Sequence, residues 1–200
     1  MNLEEFKQSV TDGQIPDKWY FYKRSESNKS VLIRDMKSLS TFIKDKFNLD
    51  LYLIYGTLLG AIRENDFMEH DNDVDLAYMS KQDNLIDILN EFKGMCCILK
   101  NHNMLSKICS NGHFHAYSPN RRNKFDMWTS FIIEGKYYIV PLIDGIKEDQ
   151  IINPLKPINF KNQNFLIPNK PEKLLDLLYK DWKNPILDNK GIINKWQKLL

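Results

Sequence analysis

Four aspartates carry the chemistry that this chain can do. Asp71, Asp73 and Asp75 fall in the run Asp-Asn-Asp-Val-Asp-Leu, and Asp126 stands between Phe125 and Met127. Because Val74 and Leu76 alternate with the acids, a strand here turns Asp73 and Asp75 to one face and apolar side chains to the other. Two carboxylates that close repel, and burying either without a countercharge is costly. A divalent cation resolves both problems. Mg2+, or Mn2+ in its place, takes oxygens from one or two carboxylates and fills its shell with water and substrate phosphate. Asp73 and Asp75 are therefore the expected metal-holding and catalytic pair, and Asp126, which breaks an apolar strand, should meet a cation or be protonated. The bland alternative is a solvated acidic edge.

The element before these acids adds a phosphate site. Residues 51–55 form a short apolar run that reads as a buried strand, and Gly56-Thr57 then opens a helix with Leu58, Leu59 and Ile62 at helical spacing. Such a helix start aims backbone N–H groups and positive dipole at whatever lies above the strand, so Gly56 and Thr57 are expected to cradle a phosphate. Asp71 and Arg63 join them as substrate-facing residues; Arg63 is either a two-pronged phosphate clamp or the partner of Asp71 or Glu69. Lys107 faces either the donor or bulk water. His113 and His115 share a strand face at zinc-like spacing, but no Cys or third His is read in register with them, so they are taken as hydrogen-bonding residues.

The remaining elements must position these groups. Leu32, Met36, Leu39, Phe42, Ile43 and Phe47 mark an amphipathic helix over 31–47, preceded by a lead-in at 1–30 with aromatics at 19–22. Residues 80–83 resemble a capping box, followed by a helix ending at Gly94 and a strand over 95–100. Strands are expected at 105–110 and 113–117 around the Asn111-Gly112 hairpin, then at 124–128, and a further hairpin at 131–140. The stretch holding Pro141, Pro154 and Pro157 reads as loop; Pro171 suits the first turn of a helix carrying Leu174, Leu175, Leu178 and Trp182, and a last amphipathic helix is expected over 192–199.

Gly-Thr-Leu-Leu-Gly-Ala-Ile-Arg63, then Asp-Asn-Asp-Val-Asp-Leu76, resembles the motif of the LicD/fukutin family of phosphotransferases. Leu-Tyr-Lys-Asp-Trp182 followed by Pro185 is similar to that family's closing motif. Glu69-His70 stands where Pro-Trp is common, Asn72 replaces the middle Asp, and the glycine usual before Phe67 is missing. The resemblance implies a nucleotidyltransferase-like α/β (α+β) fold: a mixed β-sheet flanked by helices, with a catalytic core at 51–128 and C-terminal helices at 170–200 of a single domain. It also implies Asp126 as the third acid, a CDP-linked or other nucleotide donor, and transfer of a phosphocholine or polyol-phosphate group to a sugar hydroxyl of a surface glycan. Nucleotidyl transfer to a small molecule such as an aminoglycoside or sugar phosphate is the alternative, and a non-catalytic nucleotide-binding module is a third reading.

Composition bounds the rest. The 200 residues are 42% hydrophobic and 27% charged, as in an ordinary globular domain; a net charge of +2 argues neither for nor against a partner, and no basic groove for nucleic acid is evident. No stretch reads as a signal peptide or membrane span, which leaves peripheral membrane contact open to the C-terminal helix. Three cysteines, two of them adjacent, fit reduced thiols in the cytoplasm.

Overall fold

A computed structural model describes residues 25–184, apart from 70, 141, 147–148 and 180. The expected aromatic anchor at 19–22 and the helix at 192–199 lie outside the described residues. Helix α1 (Glu26–Phe47) begins on Ser25, whose hydroxyl accepts the Asn28 N–H at 3.3 Å, and stops at Asn48 in the left-handed region. It buries Leu32, Ile33, Met36, Leu39 and Ile43 in the core. The site-bearing segment follows as β1 (Leu51–Leu53), α2 (Tyr55–Arg63) and β2 (Asp75–Met79).

The rest of the chain builds outward from this segment. Helix α3 (Leu85–Asn101) leads to strands β3 (Leu105–Ser110), β4 (His113–Tyr117), β5 (Lys124–Ile133), β6 (Lys136–Ile139) and β7 (Leu142–Ile146). Strands β8 (Lys156–Phe160) and β9 (Gln163–Ile167) precede helix α4 (Pro171–Leu178). The described strands form one mixed sheet in the order β3-β4-β5-β2-β1-β9-β8, with β6 and β7 branching from the far half of β5. Only β2–β5 and β1–β9 pair in parallel. The architecture is therefore mixed α/β, as the resemblance implies.

Several boundaries move. Residues 95–100 continue α3 as helix, because Ile88, Phe92, Met95, Cys96 and Leu99 bury at helical spacing and Gly94 meets nothing that a side chain would obstruct. The cap of α3 is Asn84, whose side chain accepts the Asp87 N–H at 3.0 Å, not the 80–83 run. Tyr55 belongs to α2, Asp73 precedes β2, and Trp182 lies past the end of α4. The expected strands at 124–128 and 131–133 are one continuous strand, β5. The proline-rich stretch carries β7 and β8; Pro157 is tolerated because β8 is the sheet's last strand and needs no donor on its outer side. The 118–123 turn is tied to α1 by buried Asp35, which accepts from Ser118 Oγ (3.2 Å), Asn120 Nδ2 (2.8 Å) and Asn123 Nδ2 (2.7 Å). That contact fixes the ends of β4 and β5 that carry the site.

Candidate active site

Strand register assembles a row of ionisable side chains across the sheet. Asp75 on β2 is the direct partner of Asp126 on β5, Asp126 of His115 on β4, and His115 of Lys107 on β3. Direct partners share a face, so two acids, an imidazole and an ammonium line up side by side. Asp75 and Asp126 are only 9% and 6% exposed. Trp128, two residues beyond Asp126, donates its indole N–H to Asp75 Oδ1 at 2.8 Å and stacks on His113 with ring centres 3.6 Å apart.

The start of α2 holds this row from beside it. Thr57 is buried, and its Oγ1 accepts the backbone N–H of Asp75 at 2.9 Å. This hydroxyl sets the first residue of β2, a role beside the phosphate cradle expected from sequence. A Cβ added at Gly56 would lie 2.5 Å from Asp71 Oδ2, so only glycine lets that carboxylate pack against the helix start. Tyr55 carries a positive φ of 47°, unusual for an aromatic residue, and its hydroxyl donates to the Val140 carbonyl at 2.7 Å. Strain at the entry to a helix that borders buried acids is the kind that surrounding contacts must hold in place.

The electrostatics are lopsided. Burial and then the Asp73 charge push the Asp71 carboxyl up to about 8. Asp75 is pushed well above the ordinary carboxylate range by burial, then by Asp73, Asp126 and Asp71, against which the Trp128 N–H pulls down. Asp126 differs. Burial would raise it, but contacts from His113 and His115 outweigh that and hold it below the usual range. The His115 and His113 Nε2 atoms lie 3.4 and 3.7 Å from its two oxygens.

Residues 48–170 match the family model described as the LicD/FKTN/FKRP nucleotidyltransferase domain. The chain belongs to this family. Domains of this nucleotidyltransferase family typically use divalent metals. A relative, the uncharacterized protein RP689 of Rickettsia prowazekii (strain Madrid E), is 25% identical over 181 residues. The match covers 84% of this chain and 65% of that relative's length. No helix among the described residues is long and apolar enough to cross a membrane.

Within this LicD-family domain the remaining expectations fall unevenly. Arg63 forms a salt bridge with Glu64 and donates through Nη1 to the Trp182 carbonyl at 3.2 Å. Those contacts fasten the closing motif to α2, which packs against α4. Lys107 lies in the row but is exposed. His113 and His115 do have a cysteine beside them: Cys109, at an irregularity of β3, brings its sulfur within 4.8 Å of their ligand nitrogens.

Tyr179 was missed by sequence reasoning. It is buried, and its phenol is raised well above its ordinary value by burial and by the charges of Asp75, Asp71 and Asp73. The signal was available in the Leu-Tyr-Lys-Asp-Trp match, which brings this tyrosine to the acids. Trp128 was equally silent, since an aromatic in a strand usually means core.

Proposed function

We propose that this chain is a metal-dependent phosphotransferase. It moves a substituted phosphate, of the phosphocholine or polyol-phosphate type, from a CDP-linked donor to a sugar hydroxyl of a cell-surface glycan, and it works in the cytoplasm. The observation that carries the reading is the direct pairing of buried Asp75 with buried Asp126, beside Asp71 and Asp73 and next to the start of α2.

Mg2+ fits this donor set. The carboxyls of Asp71 and Asp75 are forced toward protonation by burial and mutual repulsion, a cost that a hard divalent cation removes. Asp73, Asp75 and Asp126 would hold the ion, which when bound neutralises charge on phosphate oxygens and lowers the pKa of a coordinated hydroxyl.

The protein's own share is positioning. Phosphoryl transfer asks for alignment and charge neutralisation more than for covalent chemistry. Thr57 and Trp128 fix the backbone and carboxylate of Asp75, and the α2 start offers N–H groups to a phosphate. Asp126, held in its charged form by two histidines, is a poor base at neutral pH and suits ligation better than proton abstraction.

Incubation with a panel of CDP-alcohols, Mg2+ and candidate acceptors tests the reading, with released CMP read by mass spectrometry. CMP from wild type and none from Asp75→Asn supports it. Pyrophosphate from a nucleoside triphosphate reassigns the chain to nucleotidyl transfer onto a small molecule. Mg2+-dependent nucleotide binding without any product leaves a non-catalytic module.

A further inference from the structure

We propose that Cys109, His113 and His115 form a site for a transition-metal ion of the zinc class, separate from the hard-cation site of the aspartates. Each offers one ligand atom, and those atoms all lie within 4.8 Å of one another. A single hairpin supplies all three, so the site needs no long-range closure. His113 and His115 share a face of β4 by alternation. Cys109 joins them through the register shift of β3 between Ile108 and Ser110.

The donor set decides the metal. A thiolate with two imidazoles suits Zn2+ and its neighbours, whereas Mg2+ prefers carboxylate, phosphate and water oxygens. Three protein ligands on half-buried residues leave a fourth position for water or a substrate oxygen, the pattern of open zinc sites rather than closed structural ones.

Two further observations favour a bound ion over a plain hydrogen-bonded cluster. Among the described residues, His113 Nε2 is shielded from solvent and makes no hydrogen bond, standing 3.7 Å from the Asp126 carboxylate, a costly state for a ring nitrogen. Both rings are also already oriented, His113 by its stack on Trp128 and the pair by the Asp126 carboxylate. Lys107 opposes a cation as the register partner of His115, but it is exposed, free to swing away and screened by salt. A metal here would stand at the end of the acid row, adding a second and softer cation beside Asp126.

The test uses the full chain, purified reduced, stripped with a chelator and titrated with Co2+ and then Zn2+ in excess Mg2+. Wild type is expected to develop a thiolate-to-cobalt absorption that saturates at about one equivalent and is bleached by Zn2+. Cys109→Ser, nearly isosteric, should lose the absorption and bind Zn2+ more than about tenfold more weakly, since losing a ligand exceeds the cost of losing an outer-shell partner. His115→Ala should weaken Zn2+ similarly, while exposed Cys97→Ser and the acid-row variant Asp75→Asn should keep both signals. Circular dichroism of each variant identifies any that misfold. The proposal is overturned if wild type shows no thiolate absorption, or if Cys109→Ser takes up Zn2+ as wild type does. It is equally overturned if Asp75→Asn abolishes cobalt binding while Cys109→Ser does not.

Discussion

Two groups of carboxylates sit at opposite ends of the loop between α2 and β2, and they are treated in opposite ways. At the near end Asp66 meets Lys29 at 3.1 Å and Lys161 at 3.0 Å, and the same lysines reach Glu26. At the far end Asp71, Asp73 and Asp75 crowd together, and among the described residues the charged groups that shift Asp75 are carboxylates. Burial would raise Asp66, but Lys161, the Phe67 N–H and Lys29 bring it below its ordinary value. Asp71 and Asp75 go up instead. The same chemical group thus sits against lysines in one place and, among the described residues, is shifted by other carboxylates in the other. Crowding of this second kind is what a divalent cation relieves.

The sharpest way to break this comparison is Asp75→Asn. An amide keeps an oxygen for the Trp128 N–H but removes charge, so turnover is expected to fall about a thousandfold, several kcal/mol of lost stabilisation. The metal-free fold should become more stable, because buried repulsion is relieved. Loss of both activity and melting temperature would place Asp75 with the structural acids.

The second test is pH. Asp71 and Asp75 have folded pKa values raised above their unfolded ones, so the folded chain binds more protons wherever those groups titrate. Metal-free stability should therefore fall as pH rises from about 4 toward 8, at up to about 1.4 kcal/mol per pH unit for each group while it titrates. Asp66 has the opposite sign: its contribution is present above the unfolded pKa and is lost as pH falls through the acid range. Chemical denaturation from pH 4 to 8 with and without Mg2+ separates them. Mg2+ should stabilise strongly at pH 8 and little at pH 5, and equal stabilisation at both would contradict the proposed site.

Gly60→Ala tests the loop that joins the two clusters. A Cβ there would lie 2.5 Å from the Asp66 carbonyl and 3.2 Å from the Met68 N, both backbone atoms that cannot swing aside. We expect a loss of about 1–3 kcal/mol in denaturant melts, as for overpacking elsewhere. Gly56→Ala meets only the end of a side chain, Asp71 Oδ2, and should lower Mg2+ affinity more than stability.

These contrasts show what a chain written in one dimension can reveal. The acids stand out because they alternate with Val74 and Leu76, yet Asp73 precedes β2 and the strand is buried along Asp75–Tyr78 rather than on one face; the glycine helix was legible because Gly56 and Gly60 punctuate a strong apolar pattern. That Asp126 comes to the strand beside Asp75 was expected only from the family resemblance, since parallel register across a long crossover leaves no mark in local pattern. Cys109 was hidden by a register shift in β3, which breaks the period that sequence reading assumes. Residues 95–100 were misread because a short apolar run fits strand and buried helix alike, and only length decides. Arg63 suits a phosphate clamp by its type, and its contact with the Trp182 carbonyl comes from tertiary packing, which no local pattern announces.

The smallest expected effect closes the comparison from the other side. Asp66→Asn removes the charge that Lys29 and Lys161 balance, and both lysines then face an amide. Asp66 is roughly a third exposed, so solvent screens much of the pairing, and the loss should be about 1 kcal/mol, shrinking further at high salt. Because the loop is also held by Gly60 and by the Thr57 contact to Asp75, turnover should stay within about twofold of wild type. A larger loss of activity than of stability would mean that the lysine-balanced cluster steers the metal-seeking one, and that the loop between them transmits position rather than merely connecting two independent groups of acids.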